Sequence, residues 1–391
     1  MVHPFDALSE EMLRSRPSVK WRHYPEDVLP CWVADMDFQP AEPIRRAIAE
    51  YARAGDLGYP PKAGLAGLFD AVRGRLSNRF GIEVGPDDLM MMPGIIPGLY
   101  LAVRTLAGRG EGVVIQPPVY PPFMAAVTNS GRKAVYNPMR LGGNGWEFDF
   151  DGLERSITPS TRLLMLCNPQ NPTGRVFSRA ELERLGDIVL RNRLWVVTDE
   201  LHADLTLDGR FTPFASLGEQ VARRTLTLYG PTKAFNIAGL KIGFAFSTNQ
   251  ELMETVRMAA TGLVVPGNAV AQAATIAAYG EGDEWLGQTL DYLRSNRQFL
   301  IEFVERELPG VSLHAPQGTY LGWLDFREAD LGEPAARFLL EKAKVGLNSG
   351  SDFGPGDGTP DLEGFARLNF ATSRAILTRV LERIGTALTA R

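Results

Sequence analysis

The segment LYGPTKAFNIAGLKIG, residues 228–243, holds two of only seven lysines in a chain with 34 arginines. Arginine keeps its proton, whereas a lysine amine can lose one and attack a carbonyl to form a Schiff base. Lys233 lies in the turn after the apolar stretch TLTLYG, with Thr232 directly before it and Lys241 eight residues on. A second apolar stretch, LWVVTDE, ends in Asp199. A carboxylate at the end of a buried strand is costly without a cationic partner. His202 follows three residues later; it reads equally as a ligand contact and as a support for the site.

Other apolar stretches also end in residues able to do chemistry. After LMMMP come Gly94, Ile95 and Ile96, where a glycine opens a helix whose first amides can hold a phosphate. After GVVIQPP comes Tyr120, a ring that stacks on a flat ligand or fills the core. After LLMLCNP comes QNPTG, in which flanking prolines fix Asn171 and its amide faces a ligand oxygen or serves the turn alone. Each has a plainer reading by itself. Taken in order, phosphate amides, stacking ring, polar amide, buried acid and turn lysine form the set that pyridoxal 5′-phosphate requires. The lysine forms the Schiff base, and the acid keeps the pyridine nitrogen protonated so that the ring can store electrons. A nicotinamide-binding oxidoreductase is disfavoured, because no G-x-G-x-x-G follows an early strand.

These residues need a frame. From about residue 88, short apolar strands alternate with amphipathic helices, which predicts an α/β domain built on a mostly parallel sheet covered on both faces. In such sheets ligands bind beyond the carboxyl ends of the strands. Amphipathic helices are expected at 41–54 and 64–80, and residues 250–308 read as largely helical. The tail mixes strands (TYLGWLDF, FARLNFA) with helices at 333–345 and 373–390, a smaller α+β domain. A chain of 391 residues suits two domains. The expected division is an N-terminal segment, 1–45, packed with the small domain; a large domain, 46–285; and a small domain, 286–391.

Composition narrows the class. With 45 % hydrophobic and 22 % charged residues and a net charge of −5, the chain is ordinary globular material without a basic stripe, against nucleic acid as partner. No apolar run suits a membrane span and no signal-peptide pattern opens the chain. Cys31 and Cys167 have neither metal-ligand spacing nor a disulfide framework, so no metal site is expected and a reducing cytoplasm is. The excess of arginine over lysine fits a GC-rich bacterial genome.

The chain resembles the fold-type I, class I/II aminotransferase-like enzymes over nearly its whole length, most closely the cystathionine β-lyase and C–S lyase branch. The resemblance rests on CWVADMDFQPAEPIRRAI, GYPPKAGLAGL, QPPVYPPF, NPQNPTGRVFS, VVTDELHADL, PTKAFNIAGL, QGTYLGWLDF, and NSGSDFG with FARLNFATSR. It implies a seven-stranded, mostly parallel sheet. It implies that Lys233 is the Schiff-base lysine and moves the α-proton, that Asp199 faces the pyridine nitrogen, and that Asn171 bonds the ring hydroxyl. Tyr120 stacks on the ring, and Gly94, Ile95 and Ile96 hold the phosphate, with His202, Thr232 and Lys241 also at the cofactor. Tyr59 reaches the phosphate of the neighbouring subunit, making the enzyme a homodimer with shared sites. Arg367 clamps the substrate carboxylate, a task for a bidentate fork, with Ala34 beside it.

Three positions depart from the pattern. Gly230 stands where many relatives have a small hydroxyl residue, Lys241 where many have arginine, and Cys31 lies in a segment that lines the pocket in relatives, where it reads as a small buried hydrophobe. The implied reaction is β-elimination from L-cystathionine or another S-substituted cysteine, giving a thiol, pyruvate and ammonia. Transamination, and decarboxylation or other tailoring of a larger cysteine conjugate, use the same apparatus.

Overall fold

The computed structural model describes residues 3–61, 63–143, 145–265, 267–356 and 362–390. Its main sheet has seven strands: β1 (Leu89–Met92), β2 (Gly112–Ile115), β3 (Lys133–Tyr136), β4 (Thr161–Cys167), β5 (Trp195–Asp199), β6 (Thr225–Tyr229) and β7 (Gly243–Phe246). Their order is β1-β7-β6-β5-β4-β2-β3. Only β7 runs antiparallel to its neighbours. The other six therefore present their carboxyl ends along one edge.

Alternation along the strands builds the two covered faces. In β4, Leu163 and Met165 point to one face, where they pack with Leu99, Phe123 and Val256 from helices α3 (Ile95–Leu106), α4 (Pro122–Thr128) and α6 (Gln250–Ala260). Leu164 and Leu166 point to the other, against Leu182, Leu185 and Ile188 of α5 (Arg179–Arg191). Burying each such side chain stabilises the fold by about 1.5–3 kcal/mol. Helix α5 starts at a capping box: Ser178 Oγ accepts from the Glu181 amide, and a Glu181 carboxylate oxygen accepts from the Ser178 amide at 2.8 Å.

Helix α1 (Glu42–Ala54) covers nearly the predicted span, but α2 begins at Leu68 rather than 64 and runs to Phe80. Gly64 and Gly67 have φ of +78° and +81°, which right-handed helix excludes. The predicted helix at 333–345 is instead Ala335–Phe338 followed by a wide π-helical turn, Leu339–Ala343. The chain must leave the helix there, because Val345 and Gly346 pair with Leu29 and Pro30 of the N-terminal segment.

The tail forms a four-stranded antiparallel sheet of β8 (Ser312–Leu313), β9 (Leu321–Asp325), β10 (Asn348–Ser349) and β11 (Phe365–Asn369), in the order β8-β9-β11-β10. Leu13, Trp21 and Leu29 share a core with Val345, Leu377 and Leu381. A 25-residue helix, Asp283–Glu307, runs across position 286 without a break. Residues 33–38 are fastened from two sides. Asn369 donates to the carbonyls of Val33 (2.8 Å) and Asp35 (2.7 Å), and Asn236 donates to those of Met36 (3.0 Å) and Phe38 (2.6 Å).

Candidate active site

The carboxyl edge of the sheet opens into a cavity of about 340 Å³. Gly94, Ile95, Ile96, Tyr120, Asn171, Asp199, His202, Thr232, Lys233, Lys241 and Ala34 all line it. Residues read from five separate strand ends and from the N-terminal segment thus meet in one place. Arg367, on β11, adjoins this group by donating to Asn171 Oδ1 at 2.8 Å. Tyr59 does not line the cavity, and its side chain is fully exposed on the single chain.

Three ionisable groups carry the electrostatics. Asp199 ends β5, accepts from the Leu201 amide at 3.0 Å, and is 7 % exposed. Burial pushes its carboxyl up to about 6, with the Leu201 amide and the Lys233 charge opposing. Burial pulls the Lys233 amine down to about 8, against the attraction of Asp35 and with the repulsion of Arg367. Burial also pulls His202 down to about 3, helped by the charges of Lys233 and Arg367, so this imidazole is neutral. Its Nδ1 is buried and has no hydrogen-bond partner among the described residues.

Arg367 is a buried guanidinium held by neutral groups. Besides Asn171, it donates to Asn348 Oδ1 at 2.6 Å and to the carbonyl of Trp32 at 3.0 Å, and it lies 4.9 Å from the centroid of Phe353. Burial lowers it to about 10. Its Nε has no partner, and no described carboxylate comes within ion-pairing distance. A buried guanidinium wired this way keeps donor capacity that a carboxylate could use.

The residues present fit pyridoxal 5′-phosphate. Helix α3 begins with no side-chain cap at Gly94, whose φ is +121°, so its leading amides are left for an anion. A Cβ on Gly94 would meet no atom within 4 Å, because that space is the cavity. At the other end, Asp199 needs a cation, and a protonated pyridine nitrogen supplies one. The orphaned His202 Nδ1 and the Tyr120 ring belong to the same cavity.

Some contributors were not singled out from the sequence. Tyr320 Oη donates to the Ala34 carbonyl at 3.0 Å, the same oxygen to which Lys233 Nζ donates. Glu200 is buried next to Asp199, accepts from the Phe214 amide at 2.9 Å, and is pushed up to about 8 by burial. Asp35 sits beside Ala34 and is held high, chiefly by burial. Each lay inside a quoted motif, so the signal was available, but no single residue type marked it.

Gly230 has a structural cause. A Cβ there would sit 3.1 Å from Cα of Gly243, so the close passage of the chain entering β7 crowds a larger residue. No described helix is long and apolar enough to cross a membrane.

The model for aminotransferase class I and II matches residues 32–384. The chain is 38 % identical to the cystathionine β-lyase PatB of Bacillus subtilis (strain 168), over 97 % of this chain and 98 % of that protein. The crystal structure of OvoB superposes with a TM-score of 0.91 at 37 % identity, covering 97 % of each chain. That of the pyridoxal-phosphate-bound C–S lyase from Staphylococcus hominis superposes with a TM-score of 0.89 at 30 % identity, covering 99 % of each. With the lysine, the buried acid and the helix-start amides in one cavity and Arg367 adjoining it, the chain belongs to the pyridoxal 5′-phosphate-dependent aminotransferase class I and II family, on its cystathionine β-lyase and C–S lyase branch.

Proposed function

We propose that this enzyme is a homodimeric C–S β-lyase that cleaves L-cystathionine or another S-substituted L-cysteine. The observation that carries the reading is the placement of Arg367, a buried guanidinium without a carboxylate partner among the described residues, beside the cavity that holds Lys233. Likeness to named cystathionine β-lyases supports the choice of elimination.

Bound in this cavity, pyridoxal 5′-phosphate supplies an electron-withdrawing ring that lets a proton leave the α-carbon of an attached amino acid. The chain's own residues set the geometry and the proton traffic. Lys233 would hold the cofactor and is the base that would take the α-proton; an amine brought down to about 8 is suited to that exchange near neutral pH. Arg367 binds the α-carboxylate and fixes which bond at Cα faces the lysine. Asp199 keeps the pyridine nitrogen positively charged. Asn171 would bond the ring hydroxyl, with the neutral His202 also at the cofactor, and the amides of Ile95 and Ile96, with Thr232 and Lys241, would take the phosphate. The overall change is R–S–CH2–CH(NH3⁺)COO⁻ plus water to RSH, pyruvate and ammonium, with the Cβ–S bond broken.

Exposed Tyr59 completes the phosphate site of a second copy. Leu57, Ile96, Leu263 and Val265 are exposed as well, and Ile96 also lines the cavity, so an apolar side chain is exposed at the site itself. Both cysteines are free and buried, which suits a reducing cytoplasm.

The test incubates the cofactor-loaded enzyme with L-cystathionine and with S-alkyl-L-cysteines while pyruvate and free thiol are followed. A parallel reaction adds a keto acid and follows new amino acid. Equal release of pyruvate and thiol, abolished in Lys233→Ala, is the expected result. Keto-acid amination without pyruvate would replace the lyase by an aminotransferase.

A further inference from the structure

Arg75, on α2, is a buried guanidinium whose side chain is 3 % exposed. It reaches the lysine-bearing turn from both sides. On one side its Nη2 donates to Asp204 Oδ1 at 2.6 Å, and Asp204 Oδ2 accepts from the Tyr229 hydroxyl at 2.5 Å. Tyr229 ends β6, four residues before Lys233. On the other side the same guanidinium lies over the ring of Phe235, 5.7 Å from its centroid, and Phe235 follows Lys233 by two residues. The turn between is closed by its own backbone: the Phe235 amide donates to the Pro231 carbonyl at 2.9 Å and the Ile237 amide to that of Thr232 at 3.0 Å.

Asp204 also fastens a second turn. It lies in the 3-10 turn Ala203–Leu205 that follows His202 directly, where the Leu205 amide donates to the His202 carbonyl at 2.8 Å. Its carboxylate therefore ties the His202 turn to the end of β6. Arg79 Nε lies 3.6 Å from the same carboxylate, and Arg75 also pairs through Nη1 with Asp283, the first residue of the long helix Asp283–Glu307. Burial, with the Asp204 charge, holds the Tyr229 hydroxyl well above its usual range, so it keeps its proton and donates.

Arg75, Asp204, Tyr229 and Phe235 all stand outside the lining of the active-site cavity. Stability alone is a weak reason for an ion pair whose side chains are 3 % and 1 % exposed, because desolvation offsets the attraction and well-packed apolar residues do as well. What the pair supplies is direction: a rigid fork held by two carboxylates and a ring fixes where β6 ends and where the chain resumes after the lysine. We infer that the Arg75–Asp204 pair, with Tyr229, is a positioning brace for Lys233, holding its turn and that of His202 in the arrangement that brings the amine to the cofactor. The inference rests on the reading above in which Lys233 holds the cofactor, and it is independent of which bond of the substrate is then broken.

The experiment compares the parent with Tyr229→Phe, Asp204→Asn, Arg75→Gln and Arg75→Lys. The first readout needs no substrate. Pyridoxal 5′-phosphate is added at saturation to each cofactor-free protein, and the absorbance change that marks covalent capture by Lys233 is followed in time. Such a rate depends on the placement of the reacting group, so capture is expected to slow about tenfold in Tyr229→Phe and Asp204→Asn and further in Arg75→Gln, with part of the loss recovered in Arg75→Lys. Noncovalent retention of the cofactor, measured for the same changes in a Lys233→Ala background, should be unchanged. In the loaded enzymes kcat should fall by a similar factor with KM little affected. Capture rates and kcat equal to the parent's, with only a lower unfolding midpoint, overturn the brace. Retention weakened as much as capture is slowed overturns it too, since the whole site has then loosened. If Arg75→Gln fails to fold, Tyr229→Phe, which leaves the ion pair whole, decides the matter. A parent enzyme that releases thiol from no S-substituted cysteine would sink the lyase reading instead, and the capture rates would still decide the brace.

Discussion

Lys233 and Tyr320 donate to the same acceptor, the carbonyl oxygen of Ala34. The lysine comes from the turn after β6, the tyrosine from the entry to β9, and the carbonyl from the N-terminal segment. One oxygen thus ties the reactive amine to three stretches of chain far apart in sequence. The segment that carries it is in turn bound to Arg367 through Trp32 and to Asn369 through Val33 and Asp35. Arg367 and the lysine amine are therefore set by one strip of backbone.

Removing the tyrosine hydroxyl tests that arrangement. Tyr320→Phe keeps the buried ring and leaves the Ala34 carbonyl to Lys233 alone. The expected cost in stability is about 1 kcal/mol, that of one hydrogen bond. Because the carbonyl is then less firmly placed, kcat should fall several-fold with KM less affected. Urea denaturation and steady-state kinetics check both parts, and a variant indistinguishable from the parent in both would show that the shared acceptor positions nothing.

Asp199 gives a pH-dependent prediction for the cofactor-free protein. Its carboxyl stands at about 6 when folded, against 3.8 ordinarily. A raised folded value means that its contribution to stability is fully present below pH 3.8 and is lost as pH rises through about 6. At pH 8 the buried charge therefore costs on the order of 3 kcal/mol as an upper figure. Asp199→Asn should make the cofactor-free protein more stable than the parent at pH 8, with the gap closing toward pH 4. With cofactor, the same change should lower turnover on the order of a hundredfold, because the ring loses its counter-charge. Denaturation at pH 4, 6 and 8 decides it; equal stability at pH 8 would contradict the assigned cost.

Much of the site could be read from the sequence because parallel sheets gather ligand contacts at strand ends, and the ends of five apolar stretches were visible as changes of composition. Six of the seven strands were recognisable for the same reason. The seventh, Lys133–Tyr136, was not located: it is an edge strand with an exposed lysine and partly buried neighbours, so it lacks the continuous apolar signal. The antiparallel course of β7 was equally silent, since direction leaves no mark on composition. Tyr320, Asp35 and Glu200 matter through tertiary neighbours, and no local pattern reports which carbonyl a tyrosine meets or that Phe214 donates to a glutamate.

Gly230 offers a test of cause. If cofactor binding alone governed that position, Gly230→Ser would restore a hydroxyl near the phosphate and tighten binding. The backbone of Gly243 lies 3.1 Å from the new Cβ, so the structure predicts the opposite. Crowding of this kind costs about 1–3 kcal/mol. The variant should be destabilised by that order and should release pyridoxal 5′-phosphate no more slowly than the parent, as followed by absorbance during dialysis. Tighter retention with unchanged stability would show that the strand yields.

The exposure of Tyr59 leads to a prediction about assembly. If its hydroxyl completes the phosphate site of the neighbouring copy, each active site combines Lys233 of one subunit with Tyr59 of the other. Tyr59→Ala and Lys233→Ala homodimers should then both be impaired, for different reasons. Mixed under conditions that allow exchange, they form hybrids in which one site carries both substitutions and the other carries neither. Random pairing makes half of the dimers hybrid, so activity should rise toward about a quarter of the parent's, well above either variant alone. A site built within one subunit has no such rescue, because every site then keeps a defect however the subunits pair. The mixing experiment therefore separates a shared site from a self-contained one even if Tyr59→Ala alone loses only part of its cofactor. Activity that stays at the average of the two separate variants would mean that Tyr59 does not serve the neighbouring copy's site.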